Sequence, residues 1–299
     1  MTDTAQIPRT GQGQQPAAVT TTVHAQRRRA RWLATAAALV FAILWGLPLL
    51  WTLSSSFEGS TTPGSRLLPS DPTLANWEML VDPGGRAVNI FIAFFNSTVV
   101  AVVSTVLALL VCSMAGYALA KLPFRGNAAV LGLLLATMLI PGEVVLVPLF
   151  QQFRELGLLN TYGALALPHI VSLLGVVLVR QFIVNLPPDL IDAAKADGAN
   201  AWQIYRYVVV PLIRPALATL GILVFLGSWN DFLWPLISTS SPSMQTLPLA
   251  LVTFRSAYGD VDYGVVMASA ALAITPPLLV FLFAQRFIIA GISTTGLKG

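Results

Sequence analysis

Charge is scarce in this sequence. Of its 299 residues only 10% are Asp, Glu, Lys or Arg, against about 25% in soluble domains. Mean hydropathy is +0.74. That balance excludes an ordinary water-soluble fold and points to a polytopic membrane protein. Cysteine is nearly absent, with Cys112 alone inside an apolar run. An intrachain disulfide and a cysteine-rich metal site are therefore excluded. The two histidines, His24 and His169, are too far apart for a local metal motif. No G-x-x-x-x-G-K-S/T stretch occurs, so the chain has no phosphate-cradling loop of its own. No paired carboxylates, nucleophile with its base, or metal cluster is recognisable, so nothing supports a membrane enzyme. The formal net charge of +4 sits beside apolar runs rather than in one patch. It speaks of membrane orientation, not of nucleic acid.

What is present is a series of apolar runs. A bilayer core takes roughly 20 apolar residues per helix. The run 32–53 meets that length, as do 91–118, 127–150, 161–183, 211–237 and 264–285. The expected fold is an all-α membrane protein with six transmembrane helices. Residues 1–30 are rich in Thr, Gln, Gly, Pro and Ala and read as a disordered tail. Arg27–Arg31 precede the first run in the order of a signal peptide, but the run is long and more spans follow. An uncleaved first helix is the better reading. It and an outer loop fill 31–90, the membrane core takes 91–286, and 287–299 form a second tail.

Side follows from charge. With the N-terminus inside, all 17 basic residues but Arg66, Arg86, Arg154 and Arg255 fall on the cytoplasmic side. The positive-inside rule then puts both termini in the cytoplasm of a multi-pass protein of the cell (inner) membrane. Prolines interrupt several runs, among them Pro48, Pro141, Pro148, Pro168, Pro215, Pro235 and Pro276. Each removes a helix hydrogen bond and bends the axis.

The loop 185–211 is polar where its neighbours are not. Pro188 suits the first turn of a helix, with Asp189 and Asp192 near its positive end. Leu190, Ala193, Ala194 and Asp197 recur at helical spacing and make a thin, flat face. Gly198 fits the position just past a helix end. Asn200 can cap a second helix whose face is Ala201, Ile204, Tyr205 and Val208, with Pro211 as its stop. Asp197 is disfavoured by the dipole in a last turn and has the start of the second helix as a source of donors. The whole is an elbow joined to the fifth span, either an interfacial loop or a docking surface.

Asp192-Ala193-Ala194, then Asp197-Gly198-Ala199, with residues 199–207 between Gly198 and Val208-Val209-Val210-Pro211, resembles the EAA loop of ABC-importer permeases. Asp192 for glutamate, Val208 for isoleucine and Val210 for leucine depart from the pattern. Trp229-Asn230-Asp231 with Trp234-Pro235, Ile140-Pro141-Gly142-Glu143, Asn160-Thr161-Tyr162-Gly163 and Gln285-Arg286-Phe287 resemble the carbohydrate importers, of the maltose-transporter MalG type. The likeness covers about 90–299. It implies the type I ABC-importer permease fold and a translocation path for a sugar or oligosaccharide. It implies four kinds of neighbour: a homologous second permease, two ABC ATPase subunits, an extracellular substrate-binding protein and membrane lipid. No cofactor is expected on this chain, and ATP with Mg would be used by the ATPase. The ATPase contact would come from Asp192, Ala193, Ala194, Asp197, Gly198, Ala199, Tyr205 and Pro211.

Glu143, Trp229, Asn230 and Asp231 are candidates for the substrate path. Intramembrane carboxylates face the bundle interior or a cavity, although Glu143 could equally be held at an interface beside its kink. Trp229 and Trp234 suit an interfacial aromatic belt or a sugar platform. His169 reads as a satisfied core histidine. A glycerol-phosphate or polyol substrate shares the same pattern. An ion-driven secondary transporter would need charges buried in several spans, and a membrane scaffold would not need the elbow.

Overall fold

Proline stands at the start of several helices in this fold, at Pro141, Pro188 and Pro215. The computed structural model describes residues 17–59, 67–82, 88–258 and 263–295, and divides into two units, Met1–Trp51 and Thr52–Gly299. The first unit holds most of helix α1 (Ala17–Ser55). That helix begins well before the apolar run, so residues 17–30 are helical rather than a disordered tail. Ala, Gln and Arg there are good helix formers and extend the turn pattern of the span. Residues 1–16 lie outside the described ones, as do Arg66 and Arg86.

The second unit follows with α2 (Ala75–Val81), α3 (Ile90–Lys121), α4 (Asn127–Thr137), α5 (Gly142–Glu155), α6 (Tyr162–Ile170) and α7 (Leu173–Val184). The elbow comes next, as α8 (Pro188–Ala196), α9 (Ala201–Gln203), a π-helical turn (Ile204–Val209) and α10 (Val210–Leu212). Then come α11 (Arg214–Trp229), α12 (Leu233–Ser238), α13 (Leu247–Tyr258) and α14 (Tyr263–Thr295). The described residues contain no strand, only the isolated bridge Glu58–Pro72.

Among the described residues, three helices are long and apolar enough to cross a membrane: Arg31–Ser55, Ile90–Lys121 and Tyr263–Phe283. Three further crossings are bent pairs: α4 with α5 at 102°, α6 with α7 at 40°, and the elbow rod Ala201–Leu212 with α11 at 79°. Six spans result if each pair counts as one. Four of the expected spans need revision. The 127–150 run is two helices, because Pro141 offers no N–H to continue α4 and opens α5, which runs on to Glu155. The 161–183 run is two helices as well, since α7 starts afresh where the Ser172 hydroxyl accepts the Gly175 N–H at 3.0 Å. The 211–237 run breaks at Asn230–Phe232, leaving α12 as a short helix. The last helix continues to Thr295 rather than giving way to a tail at 287, and residues 296–299 lie outside the described ones. Helix α13 was not anticipated; its 12 residues, about 18 Å at 1.5 Å each, are too short to span.

Helix α3 is the centre, packed against α6, α7 and α11. Small residues bring these backbones together, as membrane packing requires. A Cβ on Gly116 would meet the Arg180 amide nitrogen at 3.0 Å, and one on Gly175 would meet Leu220 Cδ1 at 2.5 Å. Around that seam Ala108, Cys112, Val179, Ile183, Ile213 and Leu220 are fully buried. A second core at the other end gathers Ile90, Ala101, Trp229, Leu247 and Val265.

That second end also carries a loop, 239–246, held from outside itself. Asn160 sits in the left-handed region at φ 59°, which Asn tolerates better than most residues. Its Oδ1 accepts the Ser240 N–H at 3.0 Å, the Ser241 N–H at 3.0 Å and the Ser241 hydroxyl at 2.9 Å. Asn96, buried on α3, donates Nδ2–H to the carbonyls of Ser243 at 2.8 Å and Gln245 at 2.9 Å. Its Oδ1 accepts the Tyr162 hydroxyl at 2.6 Å.

Candidate functional site

The elbow is built by local signals. Pro188 opens α8, with Asp189 in the first turn and Lys195 in the last, both suited to the helix dipole. Gly198 follows the end of α8 at φ 82°. Its N–H donates to Lys195 O at 3.0 Å, and the Ala199 N–H donates to Ala194 O at 3.0 Å. This is the two-bond termination that needs a left-handed residue after the helix. Asn200 then caps the next rod. Its Oδ1 accepts the Gln203 N–H at 2.9 Å, and Gln203 Oε1 accepts the Asn200 N–H at 2.8 Å. Asp197, expected to receive donors from this start, is exposed instead, because Asn200 fills that role.

The two faces of the elbow differ. Ile191, Ile204, Tyr205 and Val209 point inward, with Tyr205 only 5% exposed. The Tyr205 hydroxyl lies 2.7 Å from Ser113 Oγ on α3, and its ring stands 5.5 Å from Tyr117 and 5.3 Å from Trp202. Tyr205 therefore anchors the elbow to α3 and does not lie on the docking surface where it was expected. Pro211 is also displaced from its expected role. The rod continues through it to Leu212 and the break falls at Ile213. A π turn just before it closes Val210 N–H onto Tyr205 O, so the missing proline donor falls where the ladder is already irregular.

Facing away from that core are Leu190, Asp192, Ala193 and Asp197, all exposed, while Ala194 and Ala199 are half-buried and pack against it. The face read from the sequence is free at Leu190, Ala193 and Asp197, but its Ala194 turns to the core. Asp192 pairs with Lys195 at 3.1 Å, both groups well exposed. Such a pair contributes under about 1 kcal/mol, so it yields readily to a partner.

A second constellation lies at the far end of α11. Trp229 is 2% exposed. Its Nε1–H donates to Ala273 O at 3.1 Å, and its ring stacks on Phe225 at 5.8 Å and meets Phe94 edge-on at 5.7 Å. Trp234 is buried too, donating Nε1–H to Ala164 O at 2.8 Å. Neither is a belt residue or an open sugar platform; both are core. Asn230 is exposed. Asp231 Oδ2 lies 3.1 Å from His169 Nε2, and its Oδ1 accepts the Trp234 N–H at 3.3 Å. Glu143 is exposed in the first turn of α5, just after the 102° bend. Among the described residues no hydrogen bond or ion pair joins it to Asp231 or to either tryptophan.

His169 is the site residue that sequence reasoning passed over. Its partner is 62 positions away, and periodicity does not bring them together. The available signal was that both stand beside a span break, His169 after Pro168 and Asp231 at the end of α11.

Broken spans around a central helix, with an elbow held by one face and free on the other, define a membrane-embedded transport component. The chain belongs to the family of binding-protein-dependent transport system inner membrane components, whose model matches residues 112–294. It is 39% identical over 273 residues to the arabinooligosaccharides transport system permease protein AraQ of Halalkalibacterium halodurans, covering 90% of this chain and 96% of that protein. It is 35% identical to the lactose transport system permease protein LacG of Rhizobium radiobacter, over 84% of this chain and 90% of that one. The trehalose transport system permease protein SugB of Mycobacterium tuberculosis is also 35% identical, over 85% and 92%. The fold matches a chain in the crystal structure of a bacterial ABC transporter involved in import of the acidic polysaccharide alginate. The TM-score is 0.73 at 24% identity, covering 86% of this chain and 96% of that one. The chain is thus a multi-pass inner-membrane permease of an ABC importer, a transport component rather than an enzyme. It works with an ATPase and a substrate-binding protein, and the ion-driven reading is set aside.

Proposed function

We propose that this chain forms half of the translocation path of an importer for a neutral sugar or oligosaccharide, opposite a homologous second permease. Two ATPase subunits sit below, each taking one elbow, and they alone use ATP with Mg. The single observation carrying the coupling role is the two-faced elbow. Tyr205, Ile204 and Val209 fasten it to the core while Leu190, Asp192, Ala193 and Asp197 stay free. A rigid attachment on one side and an open face on the other is what a lever needs. The sugar class is supported by the relatives that carry arabinooligosaccharides, lactose and trehalose. Purification of the tagged chain from its native membrane should bring an ATPase and a second permease with it, and the isolated chain should hydrolyse no ATP. Gradient-driven uptake by this chain alone would defeat the reading.

In this arrangement the elbow and both termini lie in the cytoplasm, because most basic residues flank the spans on that side. A cysteine placed at Lys195, which is well exposed, should react with an impermeant thiol reagent only in inside-out vesicles. Reaction in intact cells would reverse the orientation.

A further inference from the structure

Resting on the reading of this chain as a sugar-importer permease, the inference concerns the His169–Asp231 pair. Both side chains stand at broken spans, His169 near the end of α6 and Asp231 between α11 and α12. Broken backbone at membrane depth is tolerated where it is buried in protein or lines a water-filled cavity. Ionisable side chains there face the same places. Here both features coincide, and the side chains are 22% and 18% exposed rather than sealed away. His169 borders a cleft of about 370 Å3 whose walls include Pro168, Ser172, Leu174, Leu223 and Gly227.

The polar atoms are unevenly used. Asp231 is held on both oxygens, by His169 Nε2 at 3.1 Å and by the Trp234 N–H at 3.3 Å. His169 Nδ1 has no hydrogen-bond partner among the described residues. An imidazole that donates Nε2–H to a carboxylate presents Nδ1 as an acceptor. Ser172 Oγ accepts the Gly175 N–H, which leaves its own proton to donate. One acceptor, one donor and apolar walls of Pro and Leu suit a ligand with hydroxyl groups and C–H faces. The carboxylate beside them, with no Lys or Arg among the described residues that line the cleft, disfavours an anion.

We propose that His169 is a specificity-determining contact for the hydroxyl groups of an uncharged carbohydrate in the translocation path. Asp231 is its positioning residue, holding the ring so that Nδ1 faces the cleft.

The test uses the whole importer in proteoliposomes, with saturating sugar-loaded binding protein so that its own affinity drops out. Arabinotriose, lactose and trehalose are compared, each beside a singly deoxygenated analogue. His169→Leu fills similar space with no polar atom in place of either ring nitrogen; His169→Ala removes the bulk as well. Each should change the ratio of parent to deoxy-sugar uptake by about tenfold for at least one sugar. Complex assembly, read as co-purified ATPase and second permease, should stay within about twofold. Unchanged ratios overturn the contact, whether all rates fall together, as a purely structural tie predicts, or none falls. A wild-type complex that imports none of the sugars would instead strike the functional reading beneath it.

Discussion

Gly198→Val should cut coupled uptake at least tenfold while leaving the chain in the membrane at normal abundance. A Cβ at Gly198 would meet nothing within 4 Å, so crowding is not the reason. The reason is the backbone, held at φ 82°, where only glycine is free of steric cost. A left-handed conformation costs an ordinary L-residue about 1–2 kcal/mol, and a β-branched side chain is the least suited to it. The chain escapes by leaving that region, which undoes the bonds from Gly198 and Ala199 to Lys195 and Ala194. The angle between α8 and the rod then changes. The long apolar helices and α11 do not depend on that angle, so insertion proceeds. The ATPase should be lost from pull-downs or hydrolyse without transport. Gly198→Asn, which takes the left-handed region more readily, should keep more activity. Normal uptake by the valine variant, with its ATPase firmly bound, would end the case for the elbow as the coupling element.

Trp229→Ala should destabilise the protein by about 3–5 kcal/mol. The indole is nearly inaccessible, stacks on Phe225, and makes the hydrogen bond that satisfies Ala273 O. Removing it opens a cavity and leaves a buried carbonyl without its donor, which adds to the loss. Purified complex should melt at a clearly lower temperature, and membrane abundance should fall. A variant with unchanged melting temperature but no uptake would return Trp229 to the substrate path.

Those two positions mark what could be read in advance. Gly198 was legible because its signal is local: a helix start at Pro188, a stop nine residues on, and a cap at Asn200 each act within one or two turns. The free face of α8 was legible for the same reason. Tyr205 was not. Helical spacing groups it with Ile204 and Val208, but spacing cannot say whether a face turns toward a core or toward a partner. That choice was made by Ser113 and Tyr117, some 90 positions away. Trp229 was read as a substrate-path candidate, either a belt residue or a sugar platform, because it stands at the end of an apolar run. The chain returns in α14, whose Ala273 carbonyl covers it, and no pattern near Trp229 announces that. The spans were legible as apolar lengths and their prolines as bends, but hydropathy is blind to direction and gave neither the angles nor the complete breaks.

The loop at 239–246 depends on two side chains that lie outside it. Asn160 Oδ1 alone receives three donors from Ser240 and Ser241, and Asn96 Nδ2 alone supplies two carbonyls. Displacing either carboxamide releases all the partners of that side chain together. Each asparagine is therefore the single fastening of its own end of the segment, and the bonds from Met244 N–H to Ser241 O at 3.1 Å and from Gln245 N–H to Pro242 O at 3.4 Å tie the two ends together.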